Sequence, residues 1–150
     1  MKKIFFLLIL LITFVSFSQE EESLKKWSVS TGIIFAPQGG LDLKNFDQGF
    51  TNQTNLFVTL NFSKGKSTFS SFYSLFANSV GVVYIEPIKD NFGWYGVALK
   101  GVIEDFNYVG VGGTYSIGNN SAFIEFGSSV TSWNPGIYIG AFVSIFNKKL

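Results

Sequence analysis

Neither cysteine nor histidine occurs in the 150-residue sequence. Without cysteine there is no disulfide framework and no thiol to carry a lipid anchor, so any attachment to a membrane has to come from the fold. Without histidine the usual general base and the commonest metal ligand are gone. No Ser-His-Asp or Cys-His arrangement can be assembled, however many serines the chain holds. Arginine is missing too, and every basic residue is lysine. Charged residues make up only 14% of the chain, with a net charge of +1, a balance that points to neither nucleic acid nor an acidic partner. No cluster with metal-ligand spacing and no cofactor motif is present, so no catalytic, cofactor or metal site is expected and the chain reads as non-enzymatic. Gly110-Val111-Gly112-Gly113 lacks the third spaced glycine of a dinucleotide loop and lies within a strand pattern. Its plainer use is to let neighbouring strands or large rings such as Tyr108 and Trp94 come close.

What the chain does have is apolar and aromatic surface: 47% hydrophobic and 18% aromatic residues. Part of it sits at the start, where Met1-Lys2-Lys3 precedes the apolar run Ile4 to Val15, followed by Ser16 and Ser18 at the small-residue positions of a cleavage site. The run is short of the ~20 residues a membrane-spanning helix needs. Residues 1–18 are therefore expected to be a cleaved signal peptide, 19–26 an N-terminal periplasmic segment, and 27–150 the folded domain.

That domain reads as short alternating segments punctuated by Gly, Asn, Asp, Lys and Pro, with no amphipathic helix. Strands are expected over 27–36, 54–63, 67–77, 79–87, 92–103, 106–117, 121–131 and 136–146, with one long connection over 37–53. The fold class is thus all-β: an eight-stranded, antiparallel, up-and-down barrel. Splitting the segments by alternation gives two unlike faces. Val109, Val111, Tyr115 and Ile117 oppose Tyr108, Gly110, Gly112, Thr114 and Ser116; Ile137, Ile139, Ala141, Val143 and Ile145 oppose Gly136, Tyr138, Gly140, Phe142, Ser144 and Phe146.

A water-soluble sheet would carry charge on one of these faces. Here both have almost none, and the charges gather at turns and strand ends, as in Lys64, Lys66, Lys89 and Asp90. An uncharged aliphatic band between charged turns is what a closed sheet facing hydrocarbon requires, because a lysine at the lipid midplane costs ~2–4 kcal/mol and open strand edges find no water there. Two mid-strand charges, Lys100 and Glu125, are assigned to the Gly/Ser/Thr side, with Trp94, Gly96 and Ala98 beside the former. They form a candidate ion pair inside the barrel.

The segment Tyr138-Ile139-Gly140-Ala141-Phe142-Val143-Ser144-Ile145-Phe146 resembles the C-terminal strand of bacterial outer-membrane proteins, and the whole plan resembles the small OmpA/OmpX-type barrels. The resemblance implies a Gram-negative outer-membrane location, with outer-membrane lipid around the barrel. It also implies that the barrel assembly machinery reads Tyr138, Gly140, Phe142 and Phe146, although Asn147-Lys148-Lys149-Leu150 follow the last aromatic. It further places the turns with Lys64, Lys66 and Lys89 in the periplasm and 37–53 outside the cell as a surface-binding loop. The active sites of the enzymatic small barrels depend on histidine, which this chain lacks. Eight strands leave a mostly filled interior rather than an open pore, so a structural or surface-binding role is expected. The competing expectation is a soluble periplasmic or secreted lipocalin-like barrel, whose aliphatic face lines a cavity for an apolar ligand.

Overall fold

The computed structural model describes residues 27–103 and 105–150. The expected signal peptide, the segment 19–26 and Glu104 lie outside the described residues. Eight antiparallel strands follow one another: β1 (Trp27–Asp42), β2 (Phe50–Lys64), β3 (Ser67–Ser74), β4 (Ser79–Lys89), β5 (Phe92–Gly101), β6 (Asn107–Ile117), β7 (Asn120–Ser129) and β8 (Asn134–Lys149). Each pairs with the next, and β8 pairs back onto β1, which closes the barrel.

Closure fixes the tilt of the strands. Followed from Ser28 through its paired residues Ser63, Thr68, Ile85, Tyr95, Gly112, Glu125 and Tyr138, the ladder re-enters β1 at Gly40 rather than at Ser28. Every residue on that path points into the lumen. The buried residues Ala36, Thr59, Ser70, Ser74, Ser79, Tyr95, Tyr108, Thr114 and Phe123 belong to the same parity; buried Ser128, near the end of β7, has the opposite one. Most of the exposed aliphatic residues lie on the other side, while Val83, Ile85, Val97 and Leu99 share the inward parity. Val58, Leu60, Val80, Val82, Val109, Val111, Ile124 and Ile139 are all exposed on the outer wall.

The interior is filled by rings, and the rings fit because glycines stand beside them. Phe123 and Phe142 stack with centroids 4.4 Å apart, and Tyr95 meets both edge-on. Phe57 and Phe72 form a second edge-to-face pair at 5.1 Å. A Cβ on Gly140 would lie 2.8 Å from the Phe123 ring, one on Gly40 2.7 Å from Tyr138, and one on Gly81 2.5 Å from Phe72. The glycines of the Gly110-to-Gly113 run divide by face. Gly112 points inward, where a Cβ would press on the Ile124 carbonyl oxygen and lie 2.7 Å from the Tyr95 ring; Gly113 points outward with nothing closer than 3.9 Å. The ring that needs Gly112 is Tyr95, not Trp94, which is on the outer wall.

All eight expected strands are present, but the long connection is not. Residues 37–42 continue β1 and 50–53 begin β2, leaving a loop over 43–49 with one turn of 3-10 helix at Phe46–Gln48. Pro37-Gln38-Gly39-Gly40 has the composition of a loop, yet each residue has work in the sheet. Pro37 pairs with Thr54 on β2, and the β1–β8 ladder is interrupted at Ala36 and Pro37, where the proline has no N–H to give. Gly39 and Gly40 receive the rings of Phe50 and Tyr138.

The two ends of the barrel differ. At the end holding Trp27 and Lys149 the connections are two-residue hairpins, and Gly65, Asp90 and Gly118 each open one at positive φ. Such turns match the right-handed twist of the paired strands. This end carries Lys64, Lys66, Lys89, Lys148 and Lys149. At the opposite end each loop shows a large exposed apolar side chain: Phe46, Phe76, Ile103 and Trp133.

The two neighbouring glycines give a test of this packing. Gly112→Ala should cost about 1–3 kcal/mol, as overpacking does, and Gly113→Ala less than about 0.5 kcal/mol, in urea unfolding followed by tryptophan emission. Equal costs would mean that the inward and outward faces are misassigned.

Candidate functional site

A carboxylate, that of Glu125 on β7, points into the barrel. Alternation along β7 aims Phe123, Glu125 and Gly127 inward, and Glu125 faces Gly112 on one side and Tyr138 on the other. Its Oε2 accepts a hydrogen bond from the Tyr95 hydroxyl at 2.6 Å, and its Oε1 accepts one from the Tyr108 hydroxyl. Tyr138 stands edge-on to Tyr108, with centroids 5.9 Å apart. Room for the carboxylate comes from Gly110, where a Cβ would lie 2.7 Å from Oε1. An acidic side chain is expensive to bury unless hydrogen-bonded, and two phenol donors meet that requirement here. Tyr95 is only 1% exposed, so its hydroxyl also needs this acceptor. The cluster therefore cross-links β5, β6 and β7 through the lumen.

Lys100 does not take part. On β5 the inward residues are Gly93, Tyr95, Val97 and Leu99, the partners of Thr114, Gly112, Gly110 and Tyr108. Trp94, Gly96, Ala98 and Lys100 occupy the outer wall, and Lys100 is exposed. The expected interior ion pair is thus corrected: the two residues lie on opposite faces, and Glu125 is satisfied by tyrosines. β5 misled because its small residues, Gly96 and Ala98, are on the side that other strands keep aliphatic.

Of the four residues assigned to assembly recognition, Tyr138, Gly140 and Phe142 face inward, and Gly140 makes room for Phe123. Phe146 does not share their face. Ile33 pairs with Phe146 but Ile34 with Ser144, so Ile145 is the extra residue of a bulge and Phe146 turns outward beside it. Phe142 and Phe146 are thus separated by a reversal of parity that spacing alone does not reveal.

A second polar site closes the rim opposite the termini. Asp42 ends β1, and its Oδ1 accepts from the backbone N–H groups of Lys44 at 2.8 Å and Asn45 at 3.3 Å. Its Oδ2 accepts from the side-chain amides of Asn45 and Asn134, both at 2.9 Å. Lys44 donates through Nζ to the Ser132 carbonyl at 3.2 Å. These bonds hold the 43–49 loop against the start of β8. The donors around it, Asn134 foremost, keep the Asp42 carboxyl down to about 2 from an ordinary 3.8. Among the described residues no group of three metal-ligating side chains forms.

Comparison with known proteins adds no relative. No protein-family model matches the chain, and no curated protein and no solved structure matches it.

Two outcomes follow from this arrangement. A double-mutant cycle of Tyr95→Phe with Glu125→Gln should show coupling of about 0.5–3 kcal/mol in unfolding, whereas Lys100→Met with Glu125→Gln should be additive within about 0.5 kcal/mol. Because Asp42 is depressed on folding, what it contributes is fully present above about pH 4 and is lost as pH falls through about 2. The Asp42 carboxyl carbon should titrate with a midpoint of about 2 by NMR; a midpoint at 3.8 would mean that the rim cage does not form.

Proposed function

We propose that the chain is an outer-membrane β-barrel protein of the small OmpA/OmpX type, exported by a signal peptide and spanning the membrane with β1 to β8, with a structural rather than enzymatic role. The observation that carries this reading is the sidedness of the wall. Exposed aliphatic residues face outward on β2, β4, β6, β7 and β8, including Val58, Leu60, Val82, Val111, Ile124 and Ile139. Soluble monomers rarely expose a continuous apolar patch larger than a few hundred Å². Each large apolar side chain left in water instead of an apolar medium forgoes about 1.5–3 kcal/mol. A hydrocarbon surround removes that cost for the whole band at once.

Other features agree. The strands are 8 to 16 residues long, against the ~9–11 that cross a bilayer at a tilt of about 45°. The lysine-rich end also carries outward aromatics: Trp27, Phe92, Tyr115 and Phe146 are exposed there, and the Lys64 ammonium lies 5.6 Å from the Trp27 ring. Such a belt suits the headgroup boundary. The Phe123–Phe142 stack and the Glu125 cluster occupy the lumen, which favours a filled barrel over a porin. The lipocalin-like alternative needs an aliphatic cavity inside and a polar wall outside; rings in the lumen and exposed valines and isoleucines on the wall favour the membrane reading over it. A surface-binding role through 37–53 has lost most of its basis, because only 43–49 is loop.

The reading is tested by fractionation of the expressed full-length protein. The processed chain should stay in the membrane through carbonate extraction and change its gel mobility on heating in detergent. A freely soluble, detergent-free monomer would overturn it.

A further inference from the structure

The outer wall is not uniformly bulky. Along β5 the outward residues are Lys100, Ala98 and Gly96, and the strands on both sides are lined with larger groups. Val80, Val82 and Tyr84 on β4 are paired with these three residues, and Asn107, Val109 and Val111 on β6 are paired with them from the other side. Small residues flanked by valine columns make a trough. At the Lys100–Ala98 end the trough deepens into a shallow, open depression of about 490 Å³, lined by Val80, Val82, Ala98, Lys100, Val109 and Val130 among others. Toward the lysine-rich end the trough is stopped by Trp94, whose ring lies 3.9 Å from the Cβ position of Gly96 and meets Tyr84 edge-on at 5.7 Å. The run from Lys100 to Gly96 spans about 13 Å at the rise of a β-strand.

We propose that this trough is a binding site for one anionic membrane lipid, its phosphate on the Lys100 ammonium and an acyl chain over Ala98 and Gly96. The argument is complementarity of charge and shape. Lys100 heads the trough next to the rim opposite the termini, and the floor and walls beneath it are apolar apart from Asn107 beside the head and the Tyr84 hydroxyl, bonded to Glu86, at the far end. An uncharged chain gains contact along the floor, and the ammonium gains an anion at the depth where headgroups lie. A zwitterionic lipid fills the floor equally well but gains less at the head. The inference rests on the membrane reading above, since only a barrel in a bilayer presents this wall to lipid.

The test uses the full-length processed barrel purified in detergent, with native mass spectrometry reading lipid retention. The probes are phosphatidylglycerol and phosphatidylcholine with identical acyl chains. Wild type should retain the anionic lipid about fivefold better, the size of one lysine near a membrane surface. Lys100→Gln should bring that preference close to one, and Ala98→Phe, which fills the trough without entering the lumen, should lower retention of both lipids. Lys66→Gln, in a turn at the opposite end, should change neither. Heat-dependent gel mobility reports that each variant is folded. A folded barrel in which Lys100→Gln and Ala98→Phe retain lipid as wild type does would overturn the site and leave the membrane reading standing. A protein soluble without detergent would overturn both.

Discussion

The pairing of β8 with β1 is the constraint on which everything else depends. Once the ladder closes, each residue is committed to the lumen or the wall by its parity, and the lumen has a fixed and small cross-section. Rings can enter only where a neighbouring strand gives up its side chain. Phe123 lies over Gly140, Tyr138 over Gly40, Tyr95 over Gly112 and Phe72 over Gly81. Ring and glycine are complementary halves of one packing unit, and replacing either half alone leaves a void or a collision.

Within that packing the Glu125 carboxylate points into the interior, and it is arranged to cost little. Tyr95 and Tyr108 supply donors from β5 and β6, so Glu125 and the hydroxyls satisfy one another without a cation. The rim is tied by the same logic at Asp42, which collects donors from the loop after β1 and from Asn134 at the start of β8. One acid braces the middle of the barrel and the other braces its mouth.

Much of the fold was legible in the sequence because period-two alternation is a local signal. The opposition of Val109 and Val111 to Tyr108, Gly110 and Gly112 correctly separates wall from lumen on β6, and the last strand separates equally well up to Ser144. Failures came where a residue type has two uses. Gly39 and Gly40 read as loop but are ring seats within β1, and Pro37 is tolerated in the sheet at a gap in the ladder to β8. Gly96 and Ala98 read as interior but form a trough outside, which carried Lys100 to the wrong face and created an ion pair that does not exist. The tyrosine partners of Glu125 could have been sought among inward rings on neighbouring strands, but only the register shows that Tyr95 and Tyr108 reach it. The bulge at Ile145 leaves no mark in composition at all.

That bulge bears on how the end of the chain can vary. Past Ile145 the strand is half a pleat out of phase with its earlier part: Phe146 lies against the wall, while Asn147 pairs with Gly32. Removing Ile145 alone would leave Ser144 inward, Phe146 outward and Asn147 inward in unbroken alternation, whereas removing a second residue would swap the inside and outside of the whole tail. The terminus of β8 can therefore lose the one bulged residue without changing which of its side chains meet the wall, a counting rule imposed by geometry and indifferent to which amino acids are involved.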